Sequence, residues 1–373
     1  MLLPQLPLRV VIGTLFLYSS ILCGTSVCGT SAAGEPGLEY APLSGDLEAV
    51  PQNLLALSHT PEVQKDLNLD AKELAQWEAA LRDIDKIWWP ARLLPPTQQR
   101  KIIAELETKL VTGLERIQGK SAVRRLRQIE LQSQSARVLV RPEVVNYLRL
   151  DATQNKKLSE LFAETDKLGK DLAANDDKKL QQLIVAKQEE PKKALAILKP
   201  EQAERLRQSY GEPLDTTKVE RIYPFAPELI EAPDWVGAPT TLASMRGKVV
   251  VLHFYAFQCH NCVANFKHYK RWDETLKSRG VEVIGIQRPE TSAERDPNSV
   301  IEAAKKEGFE FPVLIDLEDK NWNAWGNTMW PTVYVVDKKG YIRFWWQGEL
   351  NWQGATTDKK VEAVIEQLLK EDD

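Results

Sequence analysis

Cysteine is scarce in this chain: Cys23, Cys28, Cys259 and Cys262 are the only four in 373 residues, too few to staple a small disulfide scaffold. Histidine is equally rare, with four, and no dense Cys/His tract offers the paired ligands of a structural metal site. Basic residues are not in excess. Lys+Arg total 49 against 53 Asp+Glu, a net charge of -4, which lacks the basic footprint of a nucleic-acid binder. No apolar run reaches the roughly 20 residues that a membrane-spanning helix requires. Gly (19) and Pro (21) are far from collagen-like or low-complexity levels. What remains, 43% hydrophobic and 27% charged residues, is globular composition with length for two or three domains.

The first 33 residues read as a signal peptide rather than fold. Arg9 precedes an apolar run of h-region length, Val10 to Leu22, and Ser31-Ala32-Ala33 forms a small-residue cleavage site. An uncleaved membrane anchor is the lesser alternative. Cys23 and Cys28 follow Leu22 and Val27, not the small residues expected before a lipid-modified cysteine. Export to the periplasm or another extracytoplasmic space is therefore expected, with Cys259 and Cys262 as the only cysteines of the mature chain.

Residues 34–55 are Gly/Pro-punctuated and read as a linker. From 56 to 213 the periodicity is helical. Leu74, Trp77, Leu81, Ile84 and Trp88 fall on one helix face, as do Ile103, Leu106, Leu110, Leu114 and Ile117. The region also repeats: Pro61-Glu62-Val63 with Leu67, Leu69 and Asp70 recurs as Pro142-Glu143-Val144 with Leu148, Leu150 and Asp151, an offset of 81 residues. Asp70 and Asp151 suit helix N-caps. Two copies of a helical hairpin are expected, forming an all-α domain for docking or dimerisation.

Beyond Gly211-Glu212-Pro213 the pattern changes to strands alternating with helices. Strands are expected at Lys248–Tyr255, Val281–Ile286, Phe311–Leu317, Thr332–Asp337 and Tyr341–Trp346, with helices at 260–279, 298–308 and 358–370. That alternation predicts an α/β fold, a mixed sheet with flanking helices, over residues 222–373. Asp337-Lys338-Lys339-Gly340 reads as a hairpin turn.

Cys259-His260-Asn261-Cys262 lies where a buried strand runs into a helix. The free N–H groups and dipole of a helix N-terminus stabilise a thiolate, which makes Cys259 the candidate nucleophile. Cys262, one turn later, is placed to attack a mixed disulfide and close a Cys259–Cys262 disulfide. Half of a zinc site is the first alternative, but no second ligand pair has suitable spacing. An inert disulfide is the other, and a loop this short would stabilise little.

Around this pair the chain resembles the extracytoplasmic thioredoxin-like thiol-disulfide oxidoreductases of the TlpA/ResA/DipZ type. The resemblance runs from Ala226-Pro227-Glu228-Leu229 through Arg246-Gly247-Lys248-Val249-Val250-Val251-Leu252 and the cysteines. It continues through Gly285-Ile286, Pro289-Glu290 and Gly326-Asn327-Thr328-Met329-Trp330-Pro331-Thr332 to Gly348-Glu349. It covers about 145 residues and leaves the helical part unaccounted for. It implies a thioredoxin fold with an inserted strand-helix segment, and no cofactor. It also implies a disulfide-containing protein as substrate and a membrane electron donor for re-reduction. Pro331 matches the family's cis-proline facing the disulfide, and Trp330 becomes a wall of the substrate groove.

Departures from the family bear on redox tuning. The tryptophan before the first cysteine is Gln258, the buried acid six residues before it is His253, and His260 and Asn261 occupy the motif interior. His253 could accept the Cys262 proton, since histidine titrates near neutrality, or could be a satisfied core histidine. A protonated His260 would make the disulfide more oxidising, which leaves the redox direction open. A peroxidase reading is poorer because Ala256 replaces the threonine three residues before the cysteine. His253, His260 and His268 with the cysteines raise a Cu(I) carrier as an alternative. His268 lies two turns into the helix and methionine is almost absent, so no metal is expected. A helical binding or assembly protein with a thioredoxin-like recognition module is the non-enzymatic alternative.

Overall fold

The computed structural model describes residues 38–170, 172, 176–215 and 224–371, and the expected signal peptide lies outside them. The described chain divides into two compact units. One holds residues up to 80 and from 95 to 215; the other holds Leu81–Leu94 and the residues from 224 onward. Among the described residues no helix is long and apolar enough to cross a membrane.

The first unit is helical. Its elements are α1 (Leu54–Ser58), α2 (Pro61–Asp66), the start of α3 (Ala71–Ala91), α4 (Pro96–Gln118), α5 (Lys120–Gln134), α6 (Pro142–Leu148), α7 (Ala152–Lys170), α8 (Asp177–Leu195) and α9 (Pro200–Ser209). The starts of α2 to α5 recur in α6 to α9 at offsets of 81 or 80 residues, so each copy carries four helices rather than the expected hairpin. Asp70 and Asp151 cap as expected. The Glu73 and Gln154 N–H groups donate to them at 2.8 and 2.9 Å, and the Glu73 and Gln154 side chains accept the Asp70 and Asp151 N–H groups at 2.9 and 3.1 Å. Leu139, Val144, Leu148, Leu158, Phe162 and Leu206 form one core of this unit.

The second unit is built on a six-stranded mixed sheet: β1 (Trp235–Val236), β2 (Val249–Tyr255), β3 (Val281–Gln287), β4 (Val313–Ile315), β5 (Thr332–Val336) and β6 (Ile342–Gln347), in the order β1-β4-β3-β2-β5-β6. The pairs β2–β3 and β3–β4 are parallel, the others antiparallel. Four helices complete it: α10 (His260–Leu276), α11 (Pro297–Glu307), α12 (Lys320–Ala324) and α13 (Thr357–Lys370). This is the thioredoxin-like architecture expected; the additional strand, β1, is two residues long, too short to leave a periodic signal. Between β5 and β6 the Asp337 carbonyl accepts the Gly340 N–H at 2.9 Å, closing the predicted turn.

β2 is buried along its whole length because both sheet faces are covered, which is why VVVLHFY shows no alternation. On one face Val249, Val251 and Tyr255 pack with Phe266, Tyr269 and Trp272 of α10 and with Val361 and Ile365 of α13. On the other, Val250, Leu252 and Phe254 pack with Trp322 and Trp325 and with Trp89 from the end of α3.

That last contact corrects the expected boundary at 56–213: residues 81–94 belong to the thioredoxin-like unit. The helix face also differs from the periodic reading. Trp77, Leu81 and Ile84 are buried as expected, but further on it is Trp89 that is buried and Trp88 only half-buried. A helix that serves two cores along its length need not present one stripe to both.

Candidate active site

The site grows from the end of β2. Cys259 is the N-cap of α10, with backbone still extended (φ -77°, ψ 109°), and its carbonyl accepts the N–H groups of Cys262 and Val263 at 3.0 and 3.1 Å. That geometry separates the two sulfurs. Cys259 is half-exposed, whereas Cys262 faces the sheet at 0% exposure, one turn before Phe266 and two before Tyr269 on the same helix face. Both are free thiols.

Their acidities diverge for the same reason. The Cys259 thiol is pushed down from 9.0 to about 7, first by a hydrogen bond from Cys262, with help from the backbone N–H groups of Cys262 and Asn261. Burial and the Glu290 carboxylate oppose that fall. The Cys262 thiol is pushed far up by burial, then by its place as partner to Cys259. The first sulfur is thus available as thiolate near neutrality, and the second is held as a thiol.

The cis-proline loop stands beside the pair. Thr332 pairs with Phe254 across β2 and β5, so the residues just before it flank the chain leaving β2 toward Cys259. The Trp330–Pro331 peptide bond is cis. Trp330 is half-buried, its ring 4.7 Å from that of Trp322, and the Arg288 guanidinium lies 4.7 Å over it. Arg288 is itself fixed by Asp319 through two hydrogen bonds of 2.7 and 3.1 Å. Val263 (44% exposed) and Met329 (47%) are exposed apolar residues of these same two segments.

Four of the singled-out residues, Cys259, Cys262, Trp330 and Pro331, thus lie on adjoining segments. His260 and Asn261 are exposed on the first turn of α10. His253 corrects the reading made for it. It is fully buried, stacked at 4.0 Å on Tyr269 and 4.9 Å on Tyr255, and neither ring nitrogen has a hydrogen-bond partner among the described residues. Burial pushes it down to about 3, so it is a neutral ring at neutral pH, packed in the core, and not a base titrating near 7. His268 is turned elsewhere, with Nε2 2.6 Å from Asn351 Oδ1.

Two carboxylates, Glu294 and Glu290, receive no role from the sequence, although Glu290 lies within the resemblance. Glu294, buried, accepts the N–H groups of Gln258 (2.9 Å), Glu290 (2.8 Å) and Thr291 (3.1 Å), tying the segment after β3 to the residue before Cys259. Glu290 pushes both thiols up. The Thr291-to-Glu294 spacing is a legible capping box, but nothing in one sequence links residue 294 to 258.

Comparison with known proteins agrees with this geometry. Residues 225–345 match the AhpC/TSA family. Protein DipZ of Mycobacterium tuberculosis is 31% identical over 150 residues, 39% of this chain and 21% of DipZ. Thiol-disulfide oxidoreductase ResA of Geobacillus kaustophilus is 30% identical over 117 residues, 30% of this chain and 64% of ResA. The chain therefore spans about a fifth of the length of one relative and under two thirds of the other. A thiol-disulfide isomerase structure from Corynebacterium glutamicum is 21% identical, covering 40% of this chain and 98% of its own, with a TM-score of 0.34. Over residues 225–345 the thioredoxin-like unit of this chain is therefore similar to the AhpC/TSA family.

Proposed function

We propose that this chain is an exported thiol-disulfide oxidoreductase that reduces disulfides in extracytoplasmic proteins through Cys259 and Cys262. The observation that carries the reading is the contrast between a half-exposed sulfur held near 7 and a buried one held as a thiol. The Cys259 thiolate attacks one sulfur of the substrate disulfide, forming a mixed disulfide and releasing a substrate thiolate. Cys262 then loses its proton and attacks the Cys259 sulfur, which expels the second substrate thiolate and leaves a Cys259–Cys262 disulfide. Two electrons pass from the enzyme pair to the substrate; one substrate thiolate takes up the Cys262 proton and the other a proton from solvent, the one Cys259 gave up on ionising. A dithiol donor on the membrane returns the electrons.

The direction is supported by acidity. Strongly oxidising pairs push their nucleophile to roughly 3.5, whereas a value near 7 accompanies reducing pairs. His260 and Asn261, exposed beside Cys259, are assigned to tuning, and Trp330 and Pro331 to the substrate groove. Export rests on Val10 to Leu22 and Ser31-Ala32-Ala33; intact mass of protein from its native host should give an N-terminus near Gly34, and retention of Met1 would refute cleavage. Docking or dimerisation is assigned to the helical part, and sedimentation of the full chain tests self-association.

Trapping tests the central reading. Cys262→Ser should accumulate mixed disulfides with substrate proteins on non-reducing gels, while Cys259→Ser should form none. Equal trapping by both, or trapping by Cys259→Ser alone, would overturn Cys259 as nucleophile.

A further inference from the structure

The loop from Gly326 to Pro331 ends beside the active-site chain, and its far end is secured by β5: Thr332 Oγ1 donates to the Met329 carbonyl at 2.8 Å. Its beginning is secured from more than 230 residues away in sequence. The Trp89 indole Nε1–H donates to the Trp325 carbonyl at 3.0 Å. The Arg92 guanidinium donates to the carbonyls of Trp325 and Gly326 at 3.3 and 3.2 Å, and to the Tyr334 hydroxyl at 3.3 Å. Tyr334 in turn donates to Asn327 Oδ1 at 2.8 Å. Arg92 lies 3.6 Å over the Trp89 ring, so the two side chains form one unit. The backbone has made room for them: Gly326 has φ +61°, and a Cβ there would stand 3.2 Å from Pro90 Cα.

We propose that Trp89 and Arg92 are positioning residues for the substrate loop, holding the segment that leads to Trp330–Pro331 in the place a substrate needs. The proposal rests on the oxidoreductase reading above. The Gly326 carbonyl takes its side-chain donor from Arg92, and the Trp325 carbonyl takes Trp89 and Arg92 beside the Tyr334 hydroxyl at 3.3 Å, so removing the pair loosens the loop at the end that β5 does not hold. Neither residue touches a cysteine, so the effect falls on substrate engagement rather than on the acidity of Cys259. The family match begins at residue 225 and does not include them.

The test uses the full chain, a glutathionylated peptide as substrate and dithiothreitol as electron source. Arg92→Met and Trp89→Phe, checked for native circular dichroism, should raise KM about tenfold while kcat changes less than about twofold. The pH midpoint for iodoacetamide alkylation of Cys259 should not move, and Arg92→Lys should recover part of the loss. Unchanged KM in both folded variants would overturn the positioning role, as would a KM rise matched by a shifted alkylation midpoint. If Arg92→Met fails to fold, Trp89→Phe decides by the same criteria. Wild-type protein without Cys259-dependent turnover would overturn the oxidoreductase reading and this role with it; turnover with unaltered KM overturns this role alone.

Discussion

Replacing Cys262 by alanine should weaken Cys259 as a nucleophile even before resolution is at issue, whereas replacement by serine should not. The Cys259 thiol sits at about 7 rather than 9.0, and the largest cause is the hydrogen bond it receives from Cys262. A hydrogen bond to a charged group contributes about 1.5–3 kcal/mol, and one pKa unit corresponds to about 1.4 kcal/mol. Deleting the donor therefore moves the Cys259 midpoint up by about one to two units. At pH 7 the thiolate fraction falls from about a half to about a tenth or less. The backbone N–H groups of Cys262 and Asn261 survive in both variants, and serine restores a hydroxyl donor in place of the thiol. Alkylation by iodoacetamide, followed by mass spectrometry of the Cys259 peptide between pH 5 and pH 10, reads the midpoint directly. Superimposable profiles for wild type and Cys262→Ala would refute the argument. So would equal upward shifts in the alanine and serine variants, because the hydroxyl would then be doing nothing.

His253→Phe should flatten the dependence of stability on pH. The folded ring sits at about 3 against 6.5 when exposed, so between those values the unfolded chain binds the extra proton. Stability is then lost as pH falls, by up to about 1.4 kcal/mol per unit, and equal slopes in wild type and variant by denaturant titration would contradict this. Trp89→Ala should destabilise the thioredoxin-like unit by about 3–5 kcal/mol. A fragment of 222–373, lacking 81–94, should bind a hydrophobic dye at the uncovered face around Leu242 and Trp325; a fragment as stable as that unit in the full chain would refute the boundary drawn here. Glu294→Ala strands the N–H groups of Gln258, Glu290 and Thr291 at about 1–3 kcal/mol each if they stay buried. Hydrogen exchange of the Gln258 amide should accelerate, and unchanged exchange would show that the carboxylate does not hold that loop.

Local chemistry accounts for what could be read without a structure. The buried run at 249–255, the N-cap position of Cys259 and the turn at 337–340 are each set by residues within a few positions of one another, where periodicity, capping and turn rules operate. Asp70 and Asp151 capped their helices because their partners lie three residues on. Sequence order could also place the proposed nucleophile, since a helix N-terminus acts on the residue that begins it.

What only the tertiary structure decided involves groups far apart in the chain. The helical periodicity of 71–91 was plain, yet where the helix changes allegiance was not, because an apolar stripe does not name the core that will bury it. Glu294 reached Gln258, and Trp89 reached Trp325, only after the sheet had set their neighbours. His253 shows the physical reason most clearly. Its residue type promised a group titrating near neutrality, but the free energy of its charge depends on the solvent left around it, and two tyrosine rings and the sheet exclude that solvent altogether.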